Sequence, residues 1–216
     1  MIPVNILAVR YLPGADPNFA GALGAATGRT SLGMLTTDCD DATYIALDEA
    51  TKAADVEVAY ARSFYAGAAN ASTPNAGEVI GILAGKSPGA VRSGMDAAIA
   101  TLGRIGFEET NGVPYLAHTV SSVGSFLAKE ADVPTGSAIA YLIAPPLEGM
   151  YAMDAALKAA DVKLCKLYAP PSETNFGGGL LSGTQSACQA ACAAFANAVK
   201  EVAQAPKPSP GGRWHL

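Results

Sequence analysis

Charge is scarce in this 216-residue chain: Asp, Glu, Lys and Arg together make 15% of it, against about 25% in an average globular protein. A monomer needs charge on its surface, so the deficit points to a surface covered by other subunits. The net charge is −5 and Arg62, Arg92 and Arg104 are scattered, which argues against nucleic acid as a partner. There are two histidines, His118 and His215. Neither has a His, Cys or acidic neighbour at metal-ligand spacing, so no metal is expected. His118, inside the strand-like run Tyr115–Val120, reads as a satisfied, partly buried side chain. A P-loop and a nucleophile elbow are both missing, and glycines 21, 24 and 28 do not fit GxGxxG. With no catalytic constellation, no enzyme and no required cofactor are expected. No apolar run reaches the roughly 18 residues of a membrane span. The longest, Ala138–Pro146, has the length of a buried strand. Met1-Ile-Pro-Val-Asn lacks a basic n-region and a signal-like core. Four cysteines without zinc or CxxC spacing read as reduced thiols of a cytoplasmic protein. Cys188 and Cys192, one helical turn apart, are expected to face a core.

What the chain does contain is a repeat. Residues 48–56, Asp-Glu-Ala-Thr-Lys-Ala-Ala-Asp-Val, return at 154–162 as Asp-Ala-Ala-Leu-Lys-Ala-Ala-Asp-Val, an offset of 106 residues with seven of nine positions identical. Solenoid repeats are about 20–50 residues long. An offset this large is a duplicated small domain, read as residues 1–110 and 111–205 followed by a flexible tail, 206–216. In the first copy, Val4–Leu12 and Ser31–Thr37 read as strands. A helix is expected over Thr43–Ala54, with Thr43 or Asp41 as N-cap. A strand over Val56–Tyr60, a loop over Ser63–Gly77, a strand over Val79–Leu83 and a helix started by Ser87-Pro88 and stopped at Gly103 complete it. In the second copy, strands are expected at Tyr115–Val120, Ala138–Ala144 (matching Leu32–Asp38 at the same offset of 106), from Val162 and at Leu180–Ser182. A helix is placed at Gly149–Ala160, a loop at Pro170–Gly179, and a last helix on Cys188, Ala191, Cys192, Phe195, Val199 and Val202. The junction is placed near Glu108–Pro114. The pattern is α+β: mainly antiparallel sheets with helices packed on one face.

Two polar features invite a ligand. The turn Asp38, Asp40, Asp41 suits a cation or an amine, or simply starts a helix. Gly177-Gly-Gly179 suits an anion, or a close-packed loop.

Ala46-Leu-Asp-Glu-Ala-Thr-Lys52-Ala-Ala-Asp-Val and Ala152-Met-Asp-Ala-Ala-Leu-Lys158-Ala-Ala-Asp-Val both resemble the signature of bacterial microcompartment shell domains. Asp40-Asp-Ala-Thr-Tyr-Ile-Ala, Arg62-Ser-Phe-Tyr-Ala-Gly-Ala-Ala, Ala144-Pro-Pro-Leu-Glu and Pro170-Pro-Ser-Glu-Thr-Asn are similar to the EutL-type shell proteins of ethanolamine-utilisation compartments. The resemblance runs from about residue 31 to 203. It implies tandem, circularly permuted shell domains in a homotrimer that imitates a hexamer. Such trimers tile side by side with other shell proteins in the shell of a cytoplasmic compartment. It implies a gated central pore for metabolites or cofactors, bordered by the loops that hold Ser63, Gly67, Asn70, Pro74 and Gly77, and Glu173, Asn175, Phe176, Gly177, Gly178 and Gly179. It places Lys52 and Lys158 at the tile edge. It also implies a small pore in each subunit for ethanolamine or a similar small amine, at Asp40, Glu78, Phe107 and Thr174. Carboxylates pair with an ammonium, a ring face adds a cation–π term and a hydroxyl reaches the ligand's alcohol. The competing expectation is an oligomeric small-molecule-binding regulatory domain that does not tile.

Overall fold

The structure, a computed structural model, describes residues 1–64, 78–170 and 174–207. Contacts divide them into two units. The first holds the described residues among 2–106 together with Val120–Ser137, and the second holds Met1, Phe107–Thr119 and the described residues from Ala138 on. The break at 106/107 lies close to the expected junction, but a single cut does not describe the division. The segment 120–137, placed by the sequence in the second copy, belongs with the first unit.

In the first unit the elements are β1 (Ile6–Leu12), α1 (Pro17–Ala22), β2 (Ser31–Thr37), α2 (Asp40–Ala53), β3 (Val56–Ser63), β4 (Val79–Gly85), α3 (Pro88–Leu102) and α4 (Ser125–Ala131). The sheet order is β1-β2-β4-β3, with each pair antiparallel. In the second they are β5 (Glu108–Thr110), β6 (Val113–Val120), β7 (Ala138–Ala144), α5 (Pro146–Ala159), β8 (Val162–Tyr168), β9 (Gly177–Gly183) and α6 (Gln185–Gln204), with sheet order β5-β6-β7-β9-β8. Without β5 the two orders are the same, so the duplicated sequence folds into a duplicated topology. The α+β reading holds.

Alternation along each strand decides which face a residue serves. Gly33 and Gly81 face the helices, where an added Cβ would meet Met95 Cγ and Leu47 Cδ1 at 2.7 Å. Leu32, Met34, Ile80, Ile82 and Ala84 face the other way, onto Ala20 and Leu23 of the α1 segment. In the second unit Ala138, Ala140, Leu142 and Ala144 lie under Ala152, Met153 and Ala156 of α5 and under Cys188, Ala191, Cys192, Phe195 and Val199 of α6. Small residues on the strands let two helices approach closely. The two cysteines are core residues, as expected, and burial raises both thiols, that of Cys192 to about 11.

Register corrects several expectations. Ser31 lies opposite Gly85 and Ala138 opposite Gly183. The equivalent of β7 is therefore Ser31–Thr37, at an offset of 107 and not 106. Two residues separate β2 from α2 and one separates β7 from α5, which absorbs the difference. The distinction matters, because a one-residue slip exchanges the faces of a strand. Helices α2 and α5 start earlier than expected, at Asp40 and Pro146, and α2 is entered through Cys39, so neither Thr43 nor Asp41 is its N-cap. Ser87 does cap α3, accepting from Ala90 N at 3.2 Å. Strand β9 begins at Gly177, so Gly177, Gly178 and Gly179 are ladder residues and not loop. Glycine is required there by close approach: a Cβ on Gly178 would stand 1.9 Å from Leu142 O, and one on Gly179 2.3 Å from Lys166 O.

Three elements have no counterpart in the expectations. Strand β5 pairs with β6 through Asn111-Gly112, both at positive φ. This is the turn that an Asn-Gly pair between strands favours, and it lies inside the expected linker. Helix α1 has a readable start, with Asp16 accepting from Asn18 N and Phe19 N and Pro17 at the first helical position. Helix α4 has none, because its N-cap is Gly124.

Candidate functional site

Thr37, Val79 and Ser63 lie side by side at one end of the first sheet. The chain leaves β2 there through Asp38 and enters α2 at Asp40, and it enters β4 through Glu78. The Glu78 N–H donates to Thr37 O at 2.8 Å and its carbonyl accepts from Phe64 N at 2.9 Å. Asp38, Asp40, Glu78 and Ser63 are thus gathered from three strand ends.

The turn is braced from within. Cys39 N donates to Thr37 Oγ1 at 3.1 Å, and the Thr37 and Thr43 hydroxyls are 2.7 Å apart. Asp38 is already committed, accepting from Asn5 N at 2.8 Å and Asn5 Nδ2 at 2.6 Å. Asp40 is buried. It accepts from Asp41 N at 2.9 Å and from the Ser63 hydroxyl, which in turn is hydrogen-bonded to Tyr44 Oη. Burial raises the Asp40 carboxyl despite these donors. The Glu78 carboxyl is pushed up to about 7, first by burial and then by the charges of Asp40 and Asp38. The Cys39 thiol is also raised, by burial and then by Asp41. Two carboxyls, both raised by burial, and a hydroxyl therefore share a partly dry corner. A cation entering it would relieve their repulsion.

The same end of the second sheet is built differently. Phe176 precedes Gly177 as Glu78 precedes Val79, and its ring lies 5.7 Å from that of Phe107, centroid to centroid. Thr174 is half-buried in the adjoining turn, and Asn175 is left-handed at φ 64. The structure brings Asp40 together with Glu78, and Phe107 together with Phe176. The first pair is in the first unit and the second pair, with Thr174, in the other. Ser63, expected in a loop, is the last residue of β3 and a partner of Asp40. Gly67, Asn70, Pro74, Gly77 and Glu173 lie outside the described residues, as does His215. His118 is half-buried. Among the described residues no group of three His, Cys, Asp or Glu is placed to hold a metal, and no helix is long and apolar enough to cross a membrane.

The two signature lysines differ. Lys52 donates to Ser122 O at 2.8 Å and pairs with Glu49 and Asp48. Among the described residues Lys158 pairs with Asp154, at 2.6 Å, and its side chain is 74% exposed. Asp48, the first residue of the sequence repeat, is fully buried. It accepts from Gly124 N at 2.6 Å and from Leu127 N at 2.8 Å, while Thr51 Oγ1 accepts from Ser125 N at 3.1 Å. Helix α4 is capped by another helix. Nothing in the local sequence marks this start, because the capping side chain lies on α2.

Residues 31–114 match the BMC domain family model. The EutL microcompartment shell protein of Clostridium perfringens is 56% identical over 210 residues, covering 95% of this chain and 97% of that one. The chain belongs to the EutL-type bacterial microcompartment shell proteins. The crystal structure of the ethanolamine utilization protein EutL from Leptotrichia buccalis superposes with a TM-score of 0.91 at 56% identity, covering 95% of this chain and 96% of that one. A trimeric microcompartment shell protein, PduB, shares the fold at a TM-score of 0.78 and 20% identity, covering 91% of this chain and 88% of that one. The family places the chain in the shell of a bacterial microcompartment.

Proposed function

We propose that the chain is a non-catalytic tile: a homotrimer that imitates a hexamer, packs beside other shell proteins and passes metabolites or cofactors through a gated central pore. Support for the ring comes from the duplicated strand order, since two similar units in each of three chains close a ring of six similar parts. Support for selective traffic comes from the acidic corner. Asp40 and Glu78 take the ammonium of ethanolamine or a similar small amine; Phe107 and Thr174, the ring and hydroxyl positions implied by the family resemblance, belong to the other unit. The pore loops are those holding Gly67, Asn70, Pro74 and Gly77, and Glu173, Asn175 and Phe176, which run between strand ends at Ser63 and Gly177. Lys52 and Lys158 serve the tile edge, and no cofactor is required.

The single observation behind the amine site is the Asp40–Glu78 pair, in which a bound cation replaces an unfavourable like-charge contact. Calorimetry with ethanolamine tests it: Asp40→Ala is expected to weaken binding by about 10-fold or more, and equal affinity overturns the site. Electron microscopy with light scattering tests the tile. Three-chain, six-lobed discs that merge into sheets are expected. A monomer or dimer without sheets leaves only a ligand-binding protein.

A further inference from the structure

The duplication makes a prediction about a surface that is bare in the single chain. Helix α1 and helix α4 are counterparts. Both follow the first strand of their repeat, their N-caps are Asp16 and Gly124, and each segment ends in a Thr-Gly turn whose glycine is left-handed, Gly28 at φ 84 and Gly136 at φ 90. With the caps aligned, Phe19 corresponds to Leu127. Helix α4 lies against α2. Phe126 contacts Tyr44 with ring centroids 5.9 Å apart, and Leu127 and the α2 stripe Asp41, Ile45, Asp48 are buried.

On α5 the corresponding stripe is Leu147, Tyr151, Asp154 and Lys158. It is exposed: Leu147 is 64% accessible and Tyr151 48%. Phe19, the counterpart of Leu127, is 49% accessible. The joint of α4, from the second repeat, on α2, from the first, is thus filled, whereas α1 of the first repeat and α5 of the second are both halves of the equivalent joint, unfilled.

We infer that α1 of a second copy of this chain seats on the α5 stripe, with Phe19 packed against Leu147 and Tyr151, as α4 seats on α2. This rests on the trimeric assembly proposed above and names its joint. The joint is head-to-tail, so each copy offers α5 to one neighbour and α1 to the other, and the chain of contacts closes as a ring. The capping chemistry agrees. Gly124 cannot cap α4, so α2 supplies Asp48. Asp16 caps α1 itself, so α5 has no such duty and Asp154 is left to pair with Lys158. The joint is therefore an apolar contact centred on two aromatic side chains, the residue type that dominates hot spots.

The test uses two variants, Phe19→Asp and the double variant Leu147→Asp/Tyr151→Asp, each checked for a wild-type circular dichroism spectrum. All three sites are exposed, so the fold is expected to survive. Each variant alone is expected to be monomeric by light scattering at concentrations where the wild type is trimeric, its association weakened by about 30-fold or more. Mixed together, the variants are expected to form a 1:1 dimer and stop, because one intact α5 and one intact α1 remain. Should either variant fail to fold, the pair Phe19→Cys/Tyr151→Cys in one chain is expected to give covalent trimers under mild oxidation where the wild type gives none. A wild type that is trimeric while both variants stay trimeric, or a mixture without dimer, overturns the joint alone. A monomeric wild type overturns the proposed assembly as well.

Discussion

Helices α2 and α5 both end within the sequence repeat and lead nearly opposite lives. In α2 the shared aspartate is Asp48, fully buried and holding two backbone N–H groups of another helix. In α5 it is Asp154, 64% exposed and paired with Lys158 one turn on. The local sequence settles that both are helices with an acid early and a lysine late, which suits the dipole. What either carboxylate does is decided by a segment about 75 residues further on, which covers one helix and not the other. A motif therefore predicts secondary structure well and role poorly.

The largest expected effect separates the two aspartates. Asp48→Ala strands two buried N–H groups and is expected to cost about 2–4 kcal/mol, whereas Asp154→Ala is expected to stay within about 0.5 kcal/mol; urea unfolding of both variants checks it. Equal costs would mean that the α4 cap contributes nothing. Next comes Gly124→Ala, whose Cβ would stand 2.7 Å from Asp48 O and 2.3 Å from Thr51 Oγ1. About 1–3 kcal/mol of overpacking is expected, while Asp16→Ala, which removes the cap from the counterpart helix, is expected to cost about 1 kcal/mol.

A pH series sharpens the contrast between the two sheet ends. The folded Glu78 carboxyl sits at about 7, above its ordinary 4.5. Between those values the folded chain holds a proton that the unfolded chain releases. This contribution is fully present below pH about 4.5 and is lost as pH rises through about 7. Glu78→Gln is expected to flatten that part of the urea-midpoint profile. Phe176, in the corresponding place, titrates nothing. A wild-type profile that rises across the window would refute the assignment. The smallest effect concerns the lysines. Lys52→Ala is expected to lower stability by about 0.5–1 kcal/mol and Lys158→Ala by less than about 0.3 kcal/mol, because exposed pairs contribute little.

Much of the fold was legible. The duplication, the order of strands and helices, the Ser87 cap and the core-facing cysteines follow from period, turn chemistry and spacing. Asp40 was marked by its acidic turn, Glu78 and the roles of the two lysines came from resemblance, and the register then explained why Asp40 and Glu78 meet: they flank the strand ends at Thr37 and Val79. What failed has identifiable causes. The glycines at 177–179 look like a loop because glycine usually marks one, yet here the strand needs bare Cα atoms under Leu142 O and Lys166 O. Asn111-Gly112 was legible but lay inside an expected linker. Helix α4 was not legible at all, since its cap lies on another element.

The two repeats also carry a record of their order of change. Each third strand departs from regular pairing at the same place, between Val58 and Tyr60 in β3 and between Leu164 and Lys166 in β8. An inserted residue shared at Ala59 and Cys165 is most simply older than the duplication, since two independent insertions at one site are improbable. The single-residue difference between β2–α2 and β7–α5 occurs in one copy and is younger. So is the difference between Glu78 and Phe176. The domain that was duplicated therefore already had a kinked edge strand, and the acidic and aromatic corners date from after the duplication.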